Sequence, residues 1–347
     1  MPFINERIAQ NEQQLERANY QKKPARPSRF RFDPQTVMAN LSTRIVGQPY
    51  LLQAMEDMLV TLKADFNAEH RPLSVNLFLG PTGVGKTETV RVLAEALLGS
   101  ADKICRIDMN TLAQEHYTAA LTGSPPGYVG SKEGQTLFNN DHIKGSFSEP
   151  GIVLFDEIEK ANKDVVRAMM NILDTGKLTL TSGARQLDFS NSLIFMTSNI
   201  GAREINDYNA DNRRSWRRWL GAKRLAPDDI VDAALTRHFD PEFLNRIDSI
   251  IRFNPLDKDF LNDLINIELE KLNKRLSRRN ASLILTKSAR IYLAQEHDAR
   301  YGARSLARRI RAELEPNLAR ALINYPEDHC FLAGVRYKNI YVEPMIP

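Results

Sequence analysis

Gly80-Pro81-Thr82-Gly83-Val84-Gly85-Lys86-Thr87 fits the spacing G-x-x-x-x-G-K-[ST], and its flanks decide the reading. A run of β-formers, Val75–Leu79, enters the loop, and a helical segment beginning near Lys86 leaves it. Strand, glycine loop and helix in that order gather backbone N–H groups and the positive end of a helix around one point. That is a cradle for phosphate oxygens. Lys86 adds a cation for β- and γ-oxygens, and Thr87 adds a hydroxyl for Mg²⁺. A glycine turn with a chance lysine would need neither the strand nor the helix.

Working outward, three more short apolar runs recur between helical stretches: Ile104–Met109, Ile152–Phe155 and Leu193–Met196. Runs of this length, apolar throughout, predict strands buried on both faces of a parallel sheet, and hence an α/β layered domain. The run at Ile152 ends in Asp156-Glu157. Carboxylates at a strand's C-terminal end lie where open α/β sheets bind ligands. Asp156 is suited to hold Mg²⁺ through water, and Glu157 to polarise an attacking water as general base. Asp-Glu is also a common helix start. Its distance after Lys86, with room for a helix and a strand between, favours the catalytic reading.

Toward the N-terminus, residues 3–20 read as a short polar helix. Pro24, Pro27 and Pro34 then interrupt a basic stretch read as a linker, and a strong helix begins near residue 47. Past Phe253-Asn254-Pro255 the pattern changes. A long helix over 256–279, a strand at Ala281–Leu285, helices over 287–296 and 303–324, and a strand pair over 330–343 predict a smaller α+β domain. The expected division is 1–40 arm and linker, 41–253 large α/β domain, and 254–347 small domain.

Composition narrows the class. The 347 residues are 42% hydrophobic and 26% charged, as in ordinary soluble proteins, and no apolar run approaches membrane-spanning length. Two cysteines give no disulfide framework or metal spacing, and MPFINERIAQ has no apolar leader core, so a cytoplasmic protein is expected. The net charge of +4 resides in residues 1–32, with seven Lys/Arg against three Asp/Glu; the rest carries 40 of each sign. A neutral body argues against a nucleic-acid-binding core, while leaving a basic arm that can meet something acidic.

With these residues in place, the chain resembles the AAA+ ATPases of the Clp family, specifically the second ATPase module of ClpB/ClpA-type unfoldases. Seven segments carry the likeness in one order. Arg44-Ile45-Val46-Gly47-Gln48 resembles the segment lining the adenine pocket. GPTGVGKTE runs from Gly80 to Glu88, and LFDEIEKA from Leu154 to Ala161. Gly123-Ser124-Pro125-Pro126-Gly127-Tyr128-Val129-Gly130 resembles an axial pore loop. Met196-Thr197-Ser198-Asn199 resembles sensor 1, Pro241–Asp248 the arginine-finger segment, and Tyr301-Gly302-Ala303-Arg304 sensor 2.

The resemblance implies ATP and Mg²⁺ as cofactors, with ATP contacted by Ile45, Val46, Gly80 through Glu88, and Arg304. It implies that Asn199 orients the lytic water or touches the γ-phosphate, that Arg246 reaches a neighbouring subunit's site, and that Arg304 touches the γ-phosphate from the small domain. Bland alternatives are a strand-ending turn for Asn199, a macrodipole contact for Arg246 and a solvated side chain for Arg304. Tyr128, between Gly127 and Val129-Gly130, is implied to grip an extended polypeptide in the channel of a homohexamer, and Thr181–Arg185 to form a second channel loop. A loop aromatic can instead tuck into its own core; the flanking glycines favour projection.

The family's N-terminal domain, first ring and middle domain have no counterpart, so a single ring is expected. No Ile-Gly-Leu or Ile-Gly-Phe tripeptide lies between Asn199 and Pro241, so no Clp-type peptidase partner is expected. That interval instead holds Arg213, Arg214, Trp216, Arg217, Arg218 and Trp219. The cluster reads equally as a packed extra helix or as a docking site for an adaptor or substrate, and the basic arm is a second place for an adaptor. The expected activity is ATP-driven protein remodelling. The alternatives are a nucleic-acid loader or helicase, which the neutral body opposes, and a disassembly ATPase dedicated to one complex.

Overall fold

A parallel sheet fixes the position of every element around the glycine loop. The computed structural model describes residues 27–66, 70–113, 137–179, 186–202, 204–205, 226–295 and 302–345. In the larger part the strands are β1 (Ser74–Leu79), β2 (Cys105–Asp108), β3 (Gly151–Asp156), β4 (Lys177–Thr179), β5 (Gln186–Asp188), β6 (Ser192–Ser198) and β7 (Ser249–Arg252). Five of them pair in parallel in the order β2-β3-β6-β1-β7, while β4 and β5 form an antiparallel pair.

Both faces of this sheet are covered, which is why its strands read as unbroken apolar runs. Phe78, Leu154 and Phe195 pack on one side with helices Pro49–Ala64 and Lys86–Leu98. Leu77, Phe155 and Met196 pack on the other with helix Lys163–Thr175. Phe78 is fully buried, its ring centroid 5.4 Å from Phe195 and 5.2 Å from Phe253. That contact ties the sheet to the segment leading into the small domain.

Residues 34–40, assigned to the linker on the strength of Pro34, are helical: a helix spans Pro34–Arg44 and buries Val37 and Leu41. Pro34 occupies its first turn, where a missing N–H breaks no helical bond, and Asp33 caps it by accepting from the Thr36 N–H at 2.9 Å. The proline marks a helix start here.

The small domain is built on helix Leu261–Leu276, with single 3₁₀ turns at each end in place of the continuous 256–279 helix expected. Strands β8 (Ser282–Leu285), β9 (Cys330–Arg336) and β10 (Asn339–Pro344) form a sheet in the order β10-β9-β8. The β8–β9 pair is parallel and the β9–β10 pair antiparallel. The helix expected over 303–324 divides into Gly302–Arg309, a π turn at Ile310–Leu314, and Glu315–Asn324. Pro316 is the cause: it has no N–H to donate back into an α-helical ladder. Among the described residues no helix is long and apolar enough to cross a membrane.

Candidate functional site

Strand order alone brings the candidate site together. Since β6 lies between β1 and β3, Asn199 at the end of β6 falls between the loop after β1 and the Asp156-Glu157 pair ending β3. A cavity of about 340 Å³ opens there. Ile45, Val46, Thr82 through Glu88, Asp156, Glu157 and Asn199 line it from the large domain, and Leu264, Ile267, Ala303 and Arg304 from the small one.

The loop is shaped for an anion. Gly85 sits at φ +106°, and a Cβ there would meet nothing within 4 Å, so the backbone is open toward the cavity at the start of helix Lys86–Leu98. The Lys86 ammonium donates to the carbonyls of Gly80 and Pro81 (2.8 Å for the latter) and to Asn199 Oδ1 at 2.9 Å. Burial pushes the Lys86 pKa down to about 8, against the opposing pull of Glu159 and Asp156. Phosphate beside this ammonium raises its pKa, so binding takes up a proton once the free pKa is passed. Full affinity is therefore expected below pH 8 and is lost as pH rises, by up to about tenfold per pH unit until the bound-state pKa is reached. Titrations between pH 7 and 9.5 check this; a flat profile contradicts it.

The acidic side is equally ordered. Asp156 is buried, and its Oδ1 accepts from the hydroxyls of Thr197 and, at 3.3 Å, Thr87. Its Oδ2 accepts from Arg106 Nη2 at 2.6 Å. Glu157 sits at φ +59°, a left-handed conformation that costs a non-glycine residue about 1 kcal/mol. Its N–H donates to Thr197 Oγ1 at 3.0 Å, and its Oε2 accepts from Asn110 Nδ2 at 2.7 Å. Arg106 and Asn110 lie in no sequence motif, while Thr197 belongs to the stretch resembling sensor 1; the three reach the carboxylates from β2, the turn after it and β6.

The donors suit a magnesium nucleotide. Among the described residues no cluster of three carboxylates, histidines or cysteines could hold a metal alone. Thr87 and Asp156 would hold Mg²⁺, with phosphate and water completing its oxygen shell. ATP with Mg²⁺ supplies the phosphoanhydride bond to be hydrolysed. Toward it, Glu157 would offer a carboxylate oxygen to take a proton from water, Asn199 an amide to align that water, and Lys86 a charge for the phosphate oxygens.

The small domain meets this loop directly. The Ala303 N–H donates to the Gly83 carbonyl at 2.9 Å. Gly302 sits at φ +51°, and a Cβ there would lie 2.5 Å from the Gly83 oxygen. Any side chain at 302 would thus be both strained and obstructed. Gly302→Ala is expected to weaken ATP binding roughly five- to hundredfold, the equivalent of about 1–3 kcal/mol, in an equilibrium titration with fluorescent ATP. Unchanged affinity would show the contact to be dispensable.

On the Ile45-Val46 side of the cavity, Gln48 is buried and exchanges two hydrogen bonds with the Asn254 backbone, at 2.9 and 2.8 Å. These bonds fix the inter-domain segment beside Ile45 and Val46. Glu88 pairs with Lys271 of the small domain at 3.2 Å and with Arg44 at 3.5 Å. Arg246 is not among the described residues lining the cavity. Its Nε donates to Asp174 Oδ2 at 2.6 Å and its Nη1 to the Glu242 carbonyl. Gly127–Gly130, Thr181–Arg185, the Arg213–Trp219 cluster and residues 1–26 lie outside the described residues.

A glycine loop over a parallel sheet, two carboxylates on the next-but-one strand and an arginine from a C-terminal lid define a P-loop ATPase of the AAA+ type. A family model described as an AAA domain (Cdc48 subfamily) matches residues 71–250, and one described as the C-terminal, D2-small domain of ClpB matches 256–327. The chain belongs to the Clp-type AAA+ ATPases and hydrolyses ATP to ADP and phosphate.

Among its relatives is a Pseudomonas aeruginosa protein named ATP-dependent protease ATP-binding subunit-like protein AmiB. It is 44% identical over 368 residues, covering 98% of this chain and 99% of its own. ClpC of Staphylococcus epidermidis is 37% identical over 289 residues, covering 82% of this chain and 34% of ClpC. A cryo-EM structure of Hsp104 with ATPγS and FITC-casein superposes with a TM-score of 0.74 at 29% identity, covering 90% of this chain and 51% of that one. The chain thus spans about a third of ClpC and half of Hsp104.

Proposed function

We propose that this protein is a protein-remodelling ATPase: a homohexamer that uses MgATP hydrolysis to pull polypeptide through an axial channel gripped by Tyr128. The observation that carries the reading is the backbone contact of Gly302-Ala303 on Gly83. It makes the seating of the small domain depend on what fills the phosphate loop, as a machine converting nucleotide state into motion requires. Arg304 lines the same cavity, so the γ-phosphate is the group whose loss releases the lid.

Arg246 acts on the neighbouring subunit's nucleotide, which makes the ring the unit of activity. Protein substrates follow from the likeness to Hsp104, two of whose structures carry casein, the second from S. cerevisiae at 30% identity and TM-score 0.74. The basic arm and the Arg213–Trp219 cluster are the candidate adaptor sites. The division at 253/254 stands, and the first boundary lies at 33/34 in place of 40/41, so that helix Pro34–Arg44 belongs to the large domain.

Tyr128→Ala tests the grip. It is expected to keep basal ATP turnover within about twofold while losing unfolding of a casein-type substrate by tenfold or more, since a hot-spot aromatic is worth about 2 kcal/mol or more. Undiminished unfolding removes Tyr128 from the mechanism.

A further inference from the structure

Among the described residues, Arg106 is the one cation paired directly with the carboxylate proposed to hold the metal. It sits on β2, opposite Leu154 of β3, two residues before Asp108, which pairs with Asp156. Cys105 and Ile107 point into the core, so Arg106 and Asp108 point to the other side of the strand, where Asp156 lies. Its Nη2 is 2.6 Å from Asp156 Oδ2. The two oxygens of Asp156 keep different company: Oδ1 accepts from Thr197 and, at 3.3 Å, from Thr87, while Oδ2 accepts from the guanidinium at 2.6 Å with the Thr87 hydroxyl farther off at 3.5 Å.

The two partners differ sharply in exposure. The Asp156 side chain is 10% exposed and that of Arg106 is 53% exposed. A carboxylate so buried needs a nearby cation, because leaving it uncompensated is costly. A long side chain half in water can leave at little cost, because solvent takes over its charge. Lys86, buried and bonded to three oxygens, has no such freedom.

We propose that Arg106 is a placeholder for the metal. It neutralises Asp156 Oδ2 while no divalent ion is present and swings into solvent when one arrives. The competition between guanidinium and ion sets the metal concentration at which the site loads. Arg106 is on this account a positioning residue, and the inference rests on the reading of Asp156 as a metal ligand.

The test uses Mn²⁺ as the probe on the full chain holding stoichiometric ATPγS, whose phosphate completes the oxygen shell, with free ion followed by its EPR signal. R106Q and R106M, both near wild-type length at a half-exposed position, are expected to bind Mn²⁺ roughly three- to tenfold more tightly than wild type. R106K, which keeps the charge, is expected to stay near wild type. Unchanged or weaker Mn²⁺ binding in R106Q and R106M overturns the placeholder role. An Asp156→Asn arm separates the two ideas. If it removes the Mn²⁺ site while R106Q has no effect, only the Arg106 proposal falls. If Asp156→Asn binds Mn²⁺ as tightly as wild type, the metal reading of Asp156 falls with it.

Discussion

Replacing Arg246 with alanine is expected to lower ATP turnover by about 10³–10⁵-fold, the range an arginine finger supplies to phosphoryl transfer. The geometry makes the route of this loss specific. In its own subunit Arg246 is bound to Asp174 and to the Glu242 carbonyl and is absent from the described cavity lining. On the proposed reading, the loss of turnover is felt in another subunit's site. Mixing supplies the check: each Arg246→Ala subunit has an intact Glu157, and each Glu157→Gln subunit an intact Arg246. Co-assembly should restore turnover at interfaces where the two intact residues meet. Full activity of Arg246→Ala alone, or no restoration on mixing, contradicts action in trans.

Glu157→Gln is expected to lose about 10²–10⁴ in turnover, the usual worth of a general base, while ATP binding is kept. The substitution preserves shape. An amide oxygen can still accept from Asn110 Nδ2, which now lies 2.7 Å from Glu157 Oε2, and the backbone N–H still reaches Thr197. What is lost is the capacity to take a proton. Steady-state phosphate release beside equilibrium ATP binding separates the two effects. Normal turnover in this variant would remove Glu157 as the base.

The parts legible in the sequence are those whose signal is local. The glycine loop, its lysine and the strand ending in Asp156-Glu157 each lie within a few consecutive residues, and burial on both faces makes the strands read as plain apolar runs. Asn199 was legible through its motif, and the strand order supplies the reason it lies where it does. The parts not legible depend on register or on long-range contact. Arg106 and Thr197 reach Asp156 from strands 50 and 41 residues away in sequence. Gly302 looks like an ordinary helix start until Gly83, more than 200 residues earlier, is seen against it. Pro34 misled because proline both ends and begins helices, and only the cap at Asp33 decides between them.

The small domain shows the same division. Its β8–β9 parallel pairing joins segments on either side of three helical stretches, and the apolar patterns of the two strands do not specify the partner. The π turn before Pro316 follows from chemistry present in the sequence, yet the helical periodicity on both sides of it conceals the break.

The most direct test of ATP-driven protein remodelling is the fluorescence anisotropy of FITC-casein with the Glu157→Gln protein, with and without ATP. A subunit that binds ATP and cannot hydrolyse it should hold polypeptide, so anisotropy is predicted to rise only with ATP and to stay low when Tyr128→Ala is added. No ATP-dependent rise, alongside salt-sensitive capture of a DNA oligonucleotide by the same protein, would contradict the account and favour a nucleic-acid substrate.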